Sequence, residues 1–76
     1  MSSSKWAKLR EAVMRRDVYL CQECKRNGRL KEAREVDHII PLHLDGTDSP
    51  ENLESLCTPC HAQKTAREAA EARKKG

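Results

Sequence analysis

Three features of this chain predict a small α+β domain: its length, a hydrophobic period that changes along it, and two matched cysteine pairs. Its 76 residues suffice for one domain, residues 1–76. Only 37% of them are hydrophobic, with no Phe, one Trp and one Tyr, against about 45–50% apolar residues in ordinary domains. A core that thin contributes no more than ~3–5 kcal/mol in a chain of this size. A disulfide or metal staple must supply the rest. No apolar run is long enough for a membrane span or a signal-peptide core. That points to a cytoplasmic protein whose thiols stay reduced, and four Cys in that setting point to metal.

The elements follow in order. Residues 2–4 are serines at a start expected to fray, as are residues 74–76 at the end. Residues 4–16 read as a helix, with Trp6, Leu9 and Val13 on one face and basic residues around it. Trp6 is expected to anchor that helix in the core; stacking on a nucleobase is the alternative. Asn27-Gly28 marks a turn. Residues 35–42 read as a strand, through Val36, Ile39 and Ile40, weakened by Pro41. Residues 43–50 form a loop turning at Asp45-Gly46, and Ser49-Pro50 suits a single helical turn. Residues 52–56 suit a second strand or the run into the second cysteine pair. Thr58 as cap and Pro59 at the first helical position open a helix to about Lys74.

Charge is segregated along the chain. Residues 1–34 carry +6, residues 35–62 carry −6 without any Lys or Arg, and residues 63–76 carry +3. Basic flanks around an acidic middle suit a nucleic-acid binder with a cation site. Solvated helix faces would produce the same runs.

Cys21 and Cys24 form one C-x-x-C, and Cys57 and Cys60 another. Each pair wraps one side of a tetrahedral ion, and four thiolates complete a structural Zn2+ site. A redox dithiol would not need the second pair; an iron–sulfur cluster is the other rival. Binding then contributes to folding, on the order of 10 kcal/mol in small zinc modules. With four sulfurs on the zinc, His61 is not needed there. Successive helical side chains diverge by about 100°, so if Cys60 faces the zinc, His61 faces elsewhere.

Asp37 and His38 lie within "VDHIIPL", residues 36–42. Neighbours on a strand leave opposite faces. That is awkward for two ligands of one ion and suits a division of labour: Asp37 for a hard cation, His38 for a proton. A capping or ion-paired Asp37 and a hydrogen-bonded buried His38 are the structural alternatives.

"VDHIIPL" followed by "SPENLESLCTPCHAQKT" resembles the HNH endonuclease family over residues 21–65. The resemblance implies a ββα-metal (His-Me finger) core, here with an N-terminal helix and the four-cysteine zinc site. It implies His38 as the general base, Asn52 as the residue that holds the loop and orients that base, and Asp37 and His61 as ligands of one catalytic divalent cation, such as Mg2+, Mn2+, Ni2+ or Zn2+. The cation would neutralise charge on the scissile phosphate and the leaving 3′ oxygen. A His with an ordinary pKa suits proton transfer at neutral pH. Where many relatives have a Gly pair, this chain has Asp45-Gly46. His43 is near enough to touch metal or phosphate, or is a surface His. Lys64, Arg67, Arg15 and Arg16 are candidate nucleic-acid contacts; Lys64 is equally readable as solvated surface.

The expected function is metal-dependent hydrolysis of DNA phosphodiesters, nicking rather than double-strand cutting for one site in a monomer or weak dimer. The resemblance to compact phage and prophage proteins of this pattern implies action in a bacterial host, possible work with a packaging terminase, and no membrane. A non-catalytic zinc-finger module and a packaging adaptor are the competing readings.

Overall fold

The computed structural model describes residues 2–75, and side chains for residues 5–71. The expected fraying of residues 1–4 and 74–76 lies outside the described side chains.

Helix α1 (Ser2–Arg16) ends with Arg15 and Arg16 in its last turn, where cations offset the partial negative charge of the helix C-terminus. Its buried stripe differs from the one expected. Val13 and Met14 are in the core, but Trp6 is 37% exposed. The C-terminal turns of α1 reach the core and β2 through Val13, Met14 and Arg16, whereas residues 5–8 are exposed. There Trp6 meets the ring of His38 instead of the core.

The exit from α1 is strained. Tyr19 N–H donates to Met14 O at 2.9 Å and Val18 N–H to Arg15 O at 3.1 Å, the paired bonds of a Schellman ending, whose left-handed position is normally glycine. Here that position is Val18, at φ 55°, with Tyr19 following at 56°. Asp17 locks the corner. Its carboxylate accepts Ser55 N–H at 3.0 Å and the Arg16 guanidinium at 2.9 and 3.1 Å. Burial pushes the Asp17 carboxyl up, but Arg16 and the Ser55 amide outweigh it and hold it below its usual range. Arg16 also donates to Pro50 O and Leu53 O, both at 2.7 Å, tying α1 to the second half of the chain.

A short helix, α2 (Gln22–Arg26), was not expected; it starts directly after Cys21 and contains Cys24. Cys21 caps it, its sulfur accepting Cys24 N–H at 3.4 Å. The Asn27-Gly28 turn follows, with Gly28 at φ 76°.

Strand β1 (Glu35–His38) pairs antiparallel with β2 (Leu53–Leu56), Asp37 opposite Glu54 and His38 opposite Leu53. β1 stops four residues before the expected end. Asn52 takes over from the ladder: its Oδ1 accepts Ile40 N–H at 2.8 Å, and its Nδ2 donates to Ile40 O at 3.0 Å and to Thr47 O at 2.8 Å. Ile39 and Ile40 are left half exposed, Pro41 gives no amide to a ladder, and Leu42–Leu44 forms a 3-10 turn. Gly46 closes the loop because nothing larger fits: a Cβ there would sit 1.8 Å from Ile40 O. The expected turn at Pro50 is a 3-10 turn, Pro50–Asn52.

Helix α3 (Thr58–Lys75) starts one residue earlier than expected. His61 N–H donates to Cys57 O at 2.9 Å, so Cys57 is the cap rather than Thr58, and Pro59 is in the second helical position. The two-stranded sheet lies between helices. Alternation sends His38 toward α1, and Asp37, Glu54 and Leu56 toward α2 and α3.

Val18 is 69% exposed, so a change there removes little packing. The left-handed region costs a β-branched residue about 1–2 kcal/mol, and glycine's extra unfolded-state freedom returns part of that. Val18→Gly is therefore expected to stabilise the zinc-loaded protein by about 0.5–1 kcal/mol. Thermal unfolding of both proteins checks it; a lower midpoint for the glycine variant would contradict the strain at this corner.

Candidate active site and metal centre

The ligand sulfurs of Cys21, Cys24, Cys57 and Cys60 all lie within 4.8 Å of one another. Cys24 Sγ is 3.8 Å from Cys57 Sγ and 3.7 Å from Cys60 Sγ. A zinc ion about 2.3 Å from four tetrahedral sulfurs sets them about 3.8 Å apart, so the cluster has the size of a zinc cage. Its acid–base chemistry agrees. Burial and the neighbouring sulfurs push the Cys60 thiol up to about 12. At Cys21 burial opposes ionisation, but the backbone amides of Cys24 and Cys57 bring it down to about 7. Four thiolates this close repel one another, and a dication removes that repulsion. Among the described residues this is the one cluster of three or more metal-ligating side chains. It also continues the core, since Leu56 packs with the cysteines.

His61 is not in that cluster. One residue beyond Cys60, its Nε2 points to Asp37 Oδ2 at 4.0 Å. Two ligand atoms each about 2.1 Å from one ion lie at most about 4.2 Å apart, so Asp37 and His61 fit a shared cation without backbone movement. Asp37 Oδ1 meanwhile accepts the His38 amide at 2.8 Å, which fixes the carboxylate and turns Oδ2 toward α3. Lys64, one turn beyond His61, places its ammonium 3.3 Å from Asp37 Oδ2 and also pairs with Glu68. The carboxylates thus gather positive charge where the cation would lie.

His38 ends β1 on the other face. Its Nε2 is 2.7 Å from Asp48 Oδ1. A carboxylate accepts here, so in the neutral ring the hydrogen of this bond is on Nε2 and Nδ1 is the nitrogen with the lone pair. Asn52 shapes the loop that carries Asp48, through its bonds to Ile40 and Thr47. Its side-chain hydrogen bonds go to the loop backbone, at Ile40 and Thr47.

The remaining sequence candidates divide. Arg67 is exposed on α3 and lines the same clefts as Lys64. Lys64 is no solvated surface residue, with a side chain only 14% exposed. Arg16 is engaged with Asp17, Pro50 and Leu53, and Arg15 pairs with Glu11. His43 is exposed on the 3-10 turn. Sequence reasoning missed Asp48 and Glu68. Glu68 carries a legible signal, seven residues from His61 on one helix face. Asp48 has none, because its reach to His38 depends on the loop's path.

Residues 21–67 match the family model described as HNH endonuclease. The chain is 35% identical over 71 residues to a probable HNH endonuclease of Lactococcus phage SK1, across 86% of this chain and 73% of that protein. A 38-residue stretch, 49% of the chain, is 50% identical to the human DNA annealing helicase and endonuclease ZRANB3, of which it spans 4%. Among solved structures, the HNH endonuclease of the deep-sea thermophilic bacteriophage GVE2, crystallised with a manganese ion, is similar at a TM-score of 0.79 and 40% identity, over 87% of this chain and 74% of that one.

The separation of Cys60 from His61 has a measurable consequence. His61→Ala is expected to keep about one tightly bound zinc per chain and its helix content. Cys60→Ala is expected to lose zinc and then structure, because the core is thin without it. Metal analysis with circular dichroism on both variants checks this. Equal loss of zinc from the two would show that His61 is a ligand of the cysteine site.

Proposed function

This chain belongs to the HNH endonuclease family, and from that premise we propose that it hydrolyses DNA phosphodiester bonds with His38 as general base and with Asp37 and His61 as ligands of one catalytic divalent cation. The observation that carries the reading is the parting of Asp37 and His38 at the end of β1. Asp37 turns to His61 on α3, and His38, held by Asp48, keeps a ring nitrogen free to take a proton.

The DNA strand lies across the end of the sheet with its scissile phosphate between the two faces. His38 Nδ1 accepts a proton from a water molecule as that water's oxygen attacks phosphorus. The Asp48 carboxylate stabilises the imidazolium that results. The phosphorus–O3′ bond breaks and the departing 3′ oxygen takes a proton from solvent water, leaving a 5′ phosphate and a 3′ hydroxyl. Asp37 and His61 would hold a divalent cation, which when bound would neutralise charge at the phosphate and the leaving oxygen. Lys64 adds positive charge beside Asp37, and Arg67, on the same helix, meets the backbone of the strand. The zinc held by the four cysteines is structural and keeps α3 in place under the site.

The manganese in the similar phage enzyme supports Mn2+ as an activating ion, with Mg2+, Ni2+ and Zn2+ as the other candidates. One site per chain of this size makes nicks, unless two copies act together. The phage relative supports a role in phage DNA processing; work in the host cytoplasm alongside a packaging terminase is a further part of the proposal. Among the described residues no helix is long and apolar enough to cross a membrane.

Supercoiled plasmid tests the reading. The protein is expected to convert it to the relaxed form with added Mn2+ and to stop with EDTA. His38→Ala is expected to lose at least ~100-fold in rate, in line with the usual contribution of a general base, while keeping its zinc and DNA binding. Parental nicking by His38→Ala would remove His38 from the mechanism.

A further inference from the structure

We propose that Trp6 is a positioning residue for this hydrolysis: its indole sets the plane of the His38 imidazole. The inference rests on the reading of His38 as the base. The ring centroids are 6.1 Å apart and the planes are 17° from parallel. Asp48 grips His38 at Nε2 alone, and one hydrogen bond leaves the imidazole free to turn about the bond's axis. Asp48 is itself 70% exposed on a loop, so its grip is soft. A flat apolar surface lying along the ring removes that remaining freedom, and Trp6 provides it.

The support has to come from α1. Strand alternation turns His38 away from the face where α3 holds Asp37, and toward α1. Trp6 also has no better explanation as a core residue. It is 37% exposed, whereas Val13 and Met14 of the same helix are 1% and 4% exposed. Large rings left half in water contribute little to the core, and the contact Trp6 does make is with His38. Helix α1 precedes residues 21–67, the part that matches the family model. The helix is nevertheless fastened to the core through Arg16 and Asp17, so its end is a fixed point from which to hold a side chain. Trp6 and Asp48 line one hollow together with Lys5 and Leu9, which places the indole beside the Asp48–His38 pair.

The test is a kinetic split on nicked product. Trp6→Ala is expected to lower kcat on the order of 10- to 100-fold, the scale of a misaligned reacting group, with KM within about twofold. Trp6→Phe, which keeps a ring, recovers most of the rate; Trp6→Leu, which keeps apolar bulk without one, does not. Trp6 is the chain's one tryptophan, so its fluorescence gives a readout without DNA. His38→Ala shifts the emission of the free protein, and His43→Ala leaves it unchanged. Parental kcat in Trp6→Ala, equal rates for the Leu and Phe variants, or an effect confined to KM would overturn the proposal, the last being the mark of base stacking. An emission unmoved by His38→Ala would overturn it as well. These outcomes are separable from failure of the base assignment, which would show as cleavage by His38→Ala itself.

Discussion

The meeting of four sulfurs at one point is the constraint on which the structure depends. Cys21 and Cys24 come from the first third of the chain, Cys57 and Cys60 from the start of α3, and their sulfurs close to within 4.8 Å. The buried apolar set is short, and half of its members are the cysteines with Leu56. The cage is therefore part of the core as well as a clip upon it. Its thiols resist ionising together, Cys60 most of all, and a bound dication would offset that resistance. A dication makes the cluster favourable, and with it the start of α3 becomes fixed. Once Cys60 is committed to the cage, the helical rotation decides where His61 points.

A second constraint divides the chemistry. β1 is only four residues long, and its last two deliver Asp37 and His38 to opposite faces. On one face α3 brings His61 and Lys64 to Asp37, gathering positive charge over a carboxylate. On the other, α1 and the loop carrying Asp48 hold an imidazole. A longer strand would carry the chain past this point. Asn52 prevents it by taking the hydrogen bonds of Ile40 that would otherwise extend the ladder. Termination of the strand and construction of the site are one event.

The two C-x-x-C pairs, the strand around Val36, and the long final helix were legible because spacing and period carry them directly. So was the parting of Cys60 and His61, which needs only helical geometry. Elements written in tertiary contacts were not legible. Val18 in a left-handed turn contradicts its own preference and is held there by the Met14, Arg15 and Ser55 backbone bonds around it. Helix α2 is too short for a period to reveal. Trp6 had the right spacing for a core position, but only the C-terminal turns of α1 reach the core, and it meets His38 instead. Arg16 looked like a free cation and is instead an internal strut, because two carbonyls of the second half of the chain lie within its reach.

Two metals of different chemistry within one small domain is the central claim, one caged in sulfur and one exchangeable at oxygen and nitrogen. Cobalt substitution tests it most directly, since thiolate-bound tetrahedral cobalt(II) has a distinctive visible spectrum. One equivalent of Co2+ added to metal-free protein should give that spectrum and restore the helices without restoring cleavage. Excess Mn2+ should then restore cleavage and leave the spectrum as it was. Cleavage at full rate with the single caged cobalt, or bleaching of the thiolate bands by the Mn2+ that activates the protein, would contradict it.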